Sequence, residues 1–112
     1  MITFENLKIY GAKTEEGLQR CVNSEALYLR LVDRFIQENA FVNLKNALAK
    51  HDLEDAFHVA HSLKGVLGNL SLTPLYDIIF EMTELLRNRT DIDYQSYIDK
   101  YEESFNKLVS LK

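Results

Sequence analysis

The sequence predicts an all-α fold, an antiparallel up-down-up-down four-helix bundle that follows a short N-terminal helical segment. Apolar residues recur at helical spacing along most of the 112 residues. With only four glycines and one proline, the chain has few positions that favour turns. The sequence contains no paired strand pattern and no glycine-rich nucleotide-binding loop. The prediction of the bundle needs only the helical spacing of the apolar residues.

The composition fits one domain with one hydrophobic core. Hydrophobic residues make up 46% of the chain and include six Phe and six Tyr, which is ample to fill a core of this size. We expect a single domain over residues 1–112, with a cap segment at 1–22 and the bundle at 23–112. No apolar run reaches 18 residues, and no basic segment followed by an apolar one opens the chain. The sequence therefore predicts a cytoplasmic protein that makes no membrane contact.

Charge and cysteine content narrow the function classes further. The formal net charge is -4, and the lysines and arginines are dispersed among acids. A nucleic-acid binder needs a concentrated basic surface, so we expect no nucleic-acid partner. The single cysteine, Cys21, excludes an intramolecular disulfide and is interpreted as a small apolar filler.

The first half of the chain predicts two short elements and one long helix. Residues 2–10 mix apolar and polar positions, which suits a segment laid over one end of the core. Thr14 is the predicted N-cap of a short helix with acids in its first turn, where the helix dipole favours them. Asn23 or Ser24 then caps a helix that the apolar pattern extends to about Lys50.

The second half predicts three further helices joined by short connections. Asp52 is the expected N-cap of a helix that spans residues 53–70. Thr73 is the expected cap of the next, with Pro74 at its first helical position. The last helix is amphipathic and begins near one of two aspartates, Asp91 or Asp93.

One histidine of the helix predicted over residues 53–70 faces solvent. At about 100° per residue, the apolar positions of this helix fall within one arc. They are Leu53, Ala56, Ala60, Leu63, Leu67 and Leu70. His61 points almost directly away from that arc. Lys64, one turn later on the same face, places a positive charge where an anion attached to the imidazole would lie.

Two glycines on the same face require an explanation. A glycine inside a helix costs about 1 kcal/mol relative to alanine, and core packing does not call for Gly65 or Gly68. One interpretation is a helix end, with Gly68 near a C-cap. The other is that the absence of two side chains lets another surface approach His61 closely.

The segment from His61 to Leu72, HSLKGVLGNLSL, resembles the signature of histidine-containing phosphotransfer (HPt) domains. The resemblance covers nearly the whole chain and is typical of small stand-alone bacterial members. Ser71 departs from the family pattern, which often has glycine there. The resemblance implies a four-helix bundle with an exposed histidine near the middle of one helix.

The resemblance also implies a function. His61 would accept a phosphoryl group from a receiver-domain aspartate or a partner kinase, such as a hybrid sensor histidine kinase, and pass it to a response-regulator receiver domain. Lys64 would be its electrostatic neighbour. The receiver would supply the acidic pocket and Mg²⁺, so we expect no cofactor or metal in this chain, no enzyme activity without partners, and a monomer. The expected partner-binding residues are Phe57, His58, Ser62, Gly65, Gly68 and Asn69.

Three alternatives remain open at the level of sequence. The chain can be a helical docking module that binds a receiver or kinase domain without phosphotransfer. His58 and His61 are one turn apart, which would suit a metal, but no third ligand is evident. A small hydrolase is disfavoured because the sequence shows no carboxylate, serine or cysteine constellation.

Overall fold

The computed structural model describes residues 1–112 and contains seven α-helices and no strand. This confirms the predicted all-α fold. None of the helices combines the length and apolar character needed to cross a bilayer. The helices are α1 (Phe4–Tyr10), α2 (Thr14–Arg20), α3 (Glu25–Glu38), α4 (Phe41–Ala49), α5 (Leu53–Asn69), α6 (Thr73–Arg87) and α7 (Gln95–Val109).

Helix α5 lies at the centre of the packing. It contacts α4 on one side and α6 on the other, and α6 in turn contacts α7. The pair α1 and α2 packs against α7 and α3. The backbone N–H of Lys13 donates to the carbonyl of Ser71 at 3.0 Å, which ties this pair to the connection between α5 and α6. The N-terminal segment therefore closes one end of the bundle.

The core consists of the apolar stripes of these helices. On α5 and α6 the inward positions are almost completely buried, and they are Ala56, Ala60, Leu63, Leu67, Leu75, Ile79, Met82 and Leu86. Tyr28 of α3 is also fully buried and donates its hydroxyl hydrogen to the Leu70 carbonyl at 2.8 Å. Burial raises the pKa of Tyr28 to about 12, so the phenol remains a donor at neutral pH.

The long helix predicted from Ser24 to about Lys50 is wrong in one respect, because the chain breaks between α3 and α4. Asn39 adopts a left-handed conformation with φ 41° and ψ 57°, and its N–H donates to the Phe35 carbonyl. Asparagine tolerates this conformation better than most residues. Apolar residues recur at helical spacing on both sides of Asn39. At 100° per residue, however, the buried positions of α4 lie about 150° away from those of α3 on a continuous helix, so the phase of the pattern changes at the break.

Two predicted helix starts are confirmed, and the last helix begins later in the chain than predicted. Ser24 caps α3, and Asp52 caps α5 by accepting the Asp55 N–H at 3.0 Å. The last helix begins at Gln95, beyond the predicted start near Asp91 or Asp93. The Asp93 carboxylate nevertheless accepts the Gln95 N–H at 2.9 Å and so stabilises the start of α7.

Two predicted caps are displaced by one residue. Lys13 and Leu72, not Thr14 and Thr73, occupy the N-cap positions of α2 and α6, and neither makes a side-chain cap. Leu72 is completely buried, which anchors the chain at this point. Pro74 consequently lies in the first turn of α6, one position later than expected.

Ser71, the position that departs from the HPt pattern, lies in a left-handed backbone conformation with φ 52°. Only glycine adopts this conformation without steric cost from a Cβ atom. The Ser71 hydroxyl is buried and has no hydrogen-bonding partner in the protein. Both features disfavour serine at the connection between α5 and α6.

We expect Ser71→Gly to raise the free energy of unfolding by about 1 kcal/mol, because relief of left-handed strain outweighs the greater freedom of glycine in the unfolded chain. Denaturant unfolding followed by circular dichroism would measure the change. Ser71→Ala is the matched control, since it removes the hydroxyl and keeps the strained Cβ. A glycine variant no more stable than the alanine variant would contradict the backbone argument.

Candidate functional site

His61 occupies the middle of α5 on its exposed side. The position follows from the stripe that packs α5 into the bundle, because Ala60 and Leu63 on either side of His61 are buried. The predicted orientation of His61 is therefore confirmed. A mid-helix residue is also held by backbone hydrogen bonds in both directions, so the imidazole is presented from a rigid element.

Aromatic contacts orient the imidazole along the helix. The Phe57 ring, one turn earlier, lies roughly parallel to the His61 ring at 5.8 Å between centroids with an interplanar angle of 27°. Phe57 also contacts His58, at 5.5 Å and 57°. Phe57 is half-buried, whereas both histidines are exposed. The Phe57 ring thus contacts both histidines of this part of α5.

Lys64 lies one turn beyond His61, as predicted, and its ammonium group contacts α6. The Lys64 Nζ atom is 5.6 Å from the centroid of the Phe80 ring, which is a cation–π arrangement. Phe80 is 44% exposed, which is unusual for phenylalanine. Its ring lies beside the exposed side of α5 that carries His61, Lys64 and Gly65, called here the His61 face. Phe80 was not predicted to be part of this face.

The two glycines differ in their surroundings. A Cβ atom at Gly65 would meet nothing within 4 Å, so Gly65 is open as predicted. A Cβ atom at Gly68 would lie 3.4 Å from the Tyr76 ring, and the Gly68 carbonyl accepts a hydrogen bond from Arg20 at 2.7 Å. A Cβ atom at Gly68 would therefore make only an ordinary contact, although Gly68 has neighbours from α2 and α6 that Gly65 lacks. Gly68 also lies inside α5, which ends at Asn69.

The remaining predicted residues lie on the opposite side of His61, toward α3 and α4. His58 and Ser62 line a shallow groove with the apolar side chains of Phe35, Val59 and Val66. Asn69 lines an adjoining groove further along α5. Val66 belongs to both grooves and is 45% exposed. An apolar strip therefore runs along this side of α5.

Two arginines that the sequence analysis did not select lie close to Phe57. The guanidinium carbons of Arg87 and Arg89 are each 5.1 Å from the centroid of the Phe57 ring. Arg87 ends α6 and Arg89 follows it. The antiparallel packing of α5 and α6 brings this basic end beside the first turns of α5. An explicit alignment of the two helices could have found it.

No group of three or more His, Cys, Asp or Glu side chains that could hold a metal ion is present. Comparison with curated proteins and with solved structures found no match. The family model described as Hpt domain matches residues 30–110, which include α4 to α7, most of α3 and every residue of the His61 face. The chain belongs to the Hpt domain family, whose members are histidine-containing phosphotransfer modules of two-component signalling.

Proposed function

We propose that the protein is a phosphorelay intermediate in which His61 accepts a phosphoryl group from a receiver-domain aspartate, or from a partner kinase, and passes it to the receiver of a response regulator. The observation that carries the proposal is the exposed imidazole in the middle of α5, in a segment that the Hpt family model matches. Hpt domains are carriers of phosphoryl groups rather than enzymes with their own turnover.

The chemistry requires one nucleophile from this chain. A lone pair on one ring nitrogen of His61 forms the N–P bond while the P–O bond to the aspartyl carboxylate breaks, and the carboxylate leaves with the electron pair. The ring proton stays on the other nitrogen. Transfer to the next receiver reverses these bond changes. The acidic pocket and Mg²⁺ belong to the receiver in this scheme, and the positive charge of Lys64 stabilises the phosphoryl oxygens.

The surroundings of His61 support docking of a receiver. Gly65 leaves space one turn beyond the imidazole, and the strip formed by Val59 and Val66 offers an apolar contact next to it. A rigid helix that presents both features fixes the imidazole relative to the docked partner. This pre-organisation is what an in-line phosphoryl transfer requires.

We expect the protein, mixed with a phosphorylated receiver domain and Mg²⁺, to acquire a phosphoryl group that is acid-labile and base-stable. His61→Gln should acquire none, because it removes the nucleophile. His51→Gln, the matched control at an exposed histidine outside this face, should be labelled like the parent. Measurable binding to several receivers without labelling of the parent would contradict the relay and favour a docking module.

The open space at Gly65 generates a prediction about docking. Gly65→Arg should slow transfer from the receiver about tenfold, the equivalent of roughly 1.4 kcal/mol of docking free energy, because its side chain occupies the partner's space. Ala26→Arg, on an exposed position of α3, is the control for added charge. Rapid-quench kinetics would measure the rate, and an unchanged rate for the Gly65 variant would contradict docking at this face.

A smaller substitution separates folding from docking at the same position. Gly65→Ala should raise the free energy of unfolding by about 1 kcal/mol, because alanine favours the helix and meets no neighbour. Gly17→Ala should lower it, since a Cβ there would lie 2.6 Å from Tyr28 Cε1 and 3.1 Å from the Leu70 carbonyl. Urea unfolding of both variants would measure these effects. A loss of stability for the Gly65 variant would indicate a structural role.

A further inference from the structure

We propose that Arg87 and Arg89, seated on the Phe57 ring, form a second cationic contact for the phosphoryl group on His61. This inference rests on the proposed phosphorylation of His61 and adds two residues to the site. Lys64 lies one turn after His61 along α5, and the arginines lie beside Phe57, one turn before it. The imidazole is therefore placed between two sources of positive charge.

The register of α5 against α6 explains this arrangement. The two helices run antiparallel, and the contact of Lys64 with Phe80 and that of Arg87 with Phe57 lie two turns apart along the same seam. His61 lies between these contacts on α5. A group attached to the exposed imidazole therefore projects from the middle of the seam, with cations on both sides of it.

The arginines are held near the imidazole by the aromatic ring. Phe57 lies roughly parallel to His61 and contacts both guanidinium groups, so the cations and the imidazole share one aromatic neighbour. Arg89 is further fixed by donating hydrogen bonds to the carbonyls of Leu86 and Arg87, at 2.8 and 3.4 Å. These contacts restrict the Arg89 side chain to the end of α6 that faces Phe57.

The two arginines differ in their acidic partners. Arg87 lies 3.5 Å from the carboxylate of Glu84, one turn earlier on α6, and both side chains are about half exposed. An exposed ion pair such as that between Arg87 and Glu84 contributes little free energy. Arg89 makes no ion pair. A phosphoryl dianion on His61 can therefore replace Glu84 as the partner of Arg87, while Arg89 is available without such an exchange.

The chemistry of the anion favours guanidinium groups. Planar guanidinium presents several N–H donors to phosphate oxygens, whereas the Lys64 ammonium acts as a compact point charge. Free phosphohistidine carries its negative charge on three exposed oxygens. Adjacent cations favour the dianionic form over the monoanionic form, and removal of the cations reverses this preference.

The test needs no partner protein. Potassium phosphoramidate phosphorylates imidazole when the ring nitrogen attacks phosphorus, the P–N bond breaks and ammonia leaves. We would phosphorylate the full-length protein in this way, assign the label with His61→Gln, and follow the ³¹P chemical shift of the phosphohistidine across neutral pH. The midpoint of this titration reports proton loss from the phosphohistidine, from its phosphoryl group or from its ring nitrogen. Adjacent cations lower the midpoint in either case, and the measurement does not depend on docking.

We expect Arg87→Gln/Arg89→Gln to raise the midpoint, with a roughly fivefold decrease in the acid dissociation constant of the phosphohistidine and about a twofold decrease for each single variant. The Lys pair Arg87→Lys/Arg89→Lys should retain most of the parental midpoint, because it keeps both charges. Arg30→Gln/Lys100→Gln, on exposed positions of α3 and α7, removes the same charge elsewhere and should leave the midpoint unchanged. Circular dichroism would check the fold of each variant.

The outcomes separate this inference from the proposed function. A phosphorylated His61 with the same midpoint in the parent and the Arg87/Arg89 variant would overturn the cationic contact and leave the relay to its own test. An equal shift in the Arg30/Lys100 control would also overturn it, since net charge would then explain the effect. The expected shift, together with no transfer from any receiver, would support the contact and contradict the relay. Failure to phosphorylate His61 at all would contradict both.

Discussion

The burial of one narrow stripe on α5 determines where the functional face lies. Ala56, Ala60, Leu63 and Leu67 are at most 3% exposed, and they fix the rotation of the helix between α4 and α6. Because successive residues turn by about 100°, burial of Ala60 and Leu63 forces His61 outward. The exposure of the imidazole is therefore a consequence of core packing, and a rotation of α5 would bury it only by exposing the stripe.

The same packing gives the His61 face two different sides. Toward α3 and α4, Val59 and Val66 form an apolar strip, and toward α6, Lys64, Arg87 and Arg89 bring positive charge. The overall charge of the chain is negative, so this local positive charge depends on the antiparallel arrangement of α5 and α6. An acidic partner would thus find one favourable orientation on the face, with its charges toward α6.

The sequence predicted what depends on helical periodicity and did not predict what depends on single backbone angles or on contacts between helices. The all-α fold, the cap at Asp52 and the outward direction of His61 follow from spacing alone. The break at Asn39 was not predicted, although at 100° per residue the buried positions of α4 lie about 150° away from those of α3 on a continuous helix. The contacts of Gly68 with Arg20 and Tyr76 were not predicted, since they come from other helices. Arg89 was not selected for the same reason.

Gly65 connects the energetics of the fold to the proposed function. Helix α5 has the buried stripe and the Asp52 cap to stabilise it, and nothing within the chain occupies the space beside Gly65. A residue that lowers helix propensity and fills no tertiary requirement is explained by a constraint from outside the chain. A receiver surface that approaches the imidazole supplies such a constraint, because any side chain at position 65 would stand between the two. The cost to stability is small because α5 is held mainly by tertiary packing, so close approach to His61 is compatible with a stable bundle.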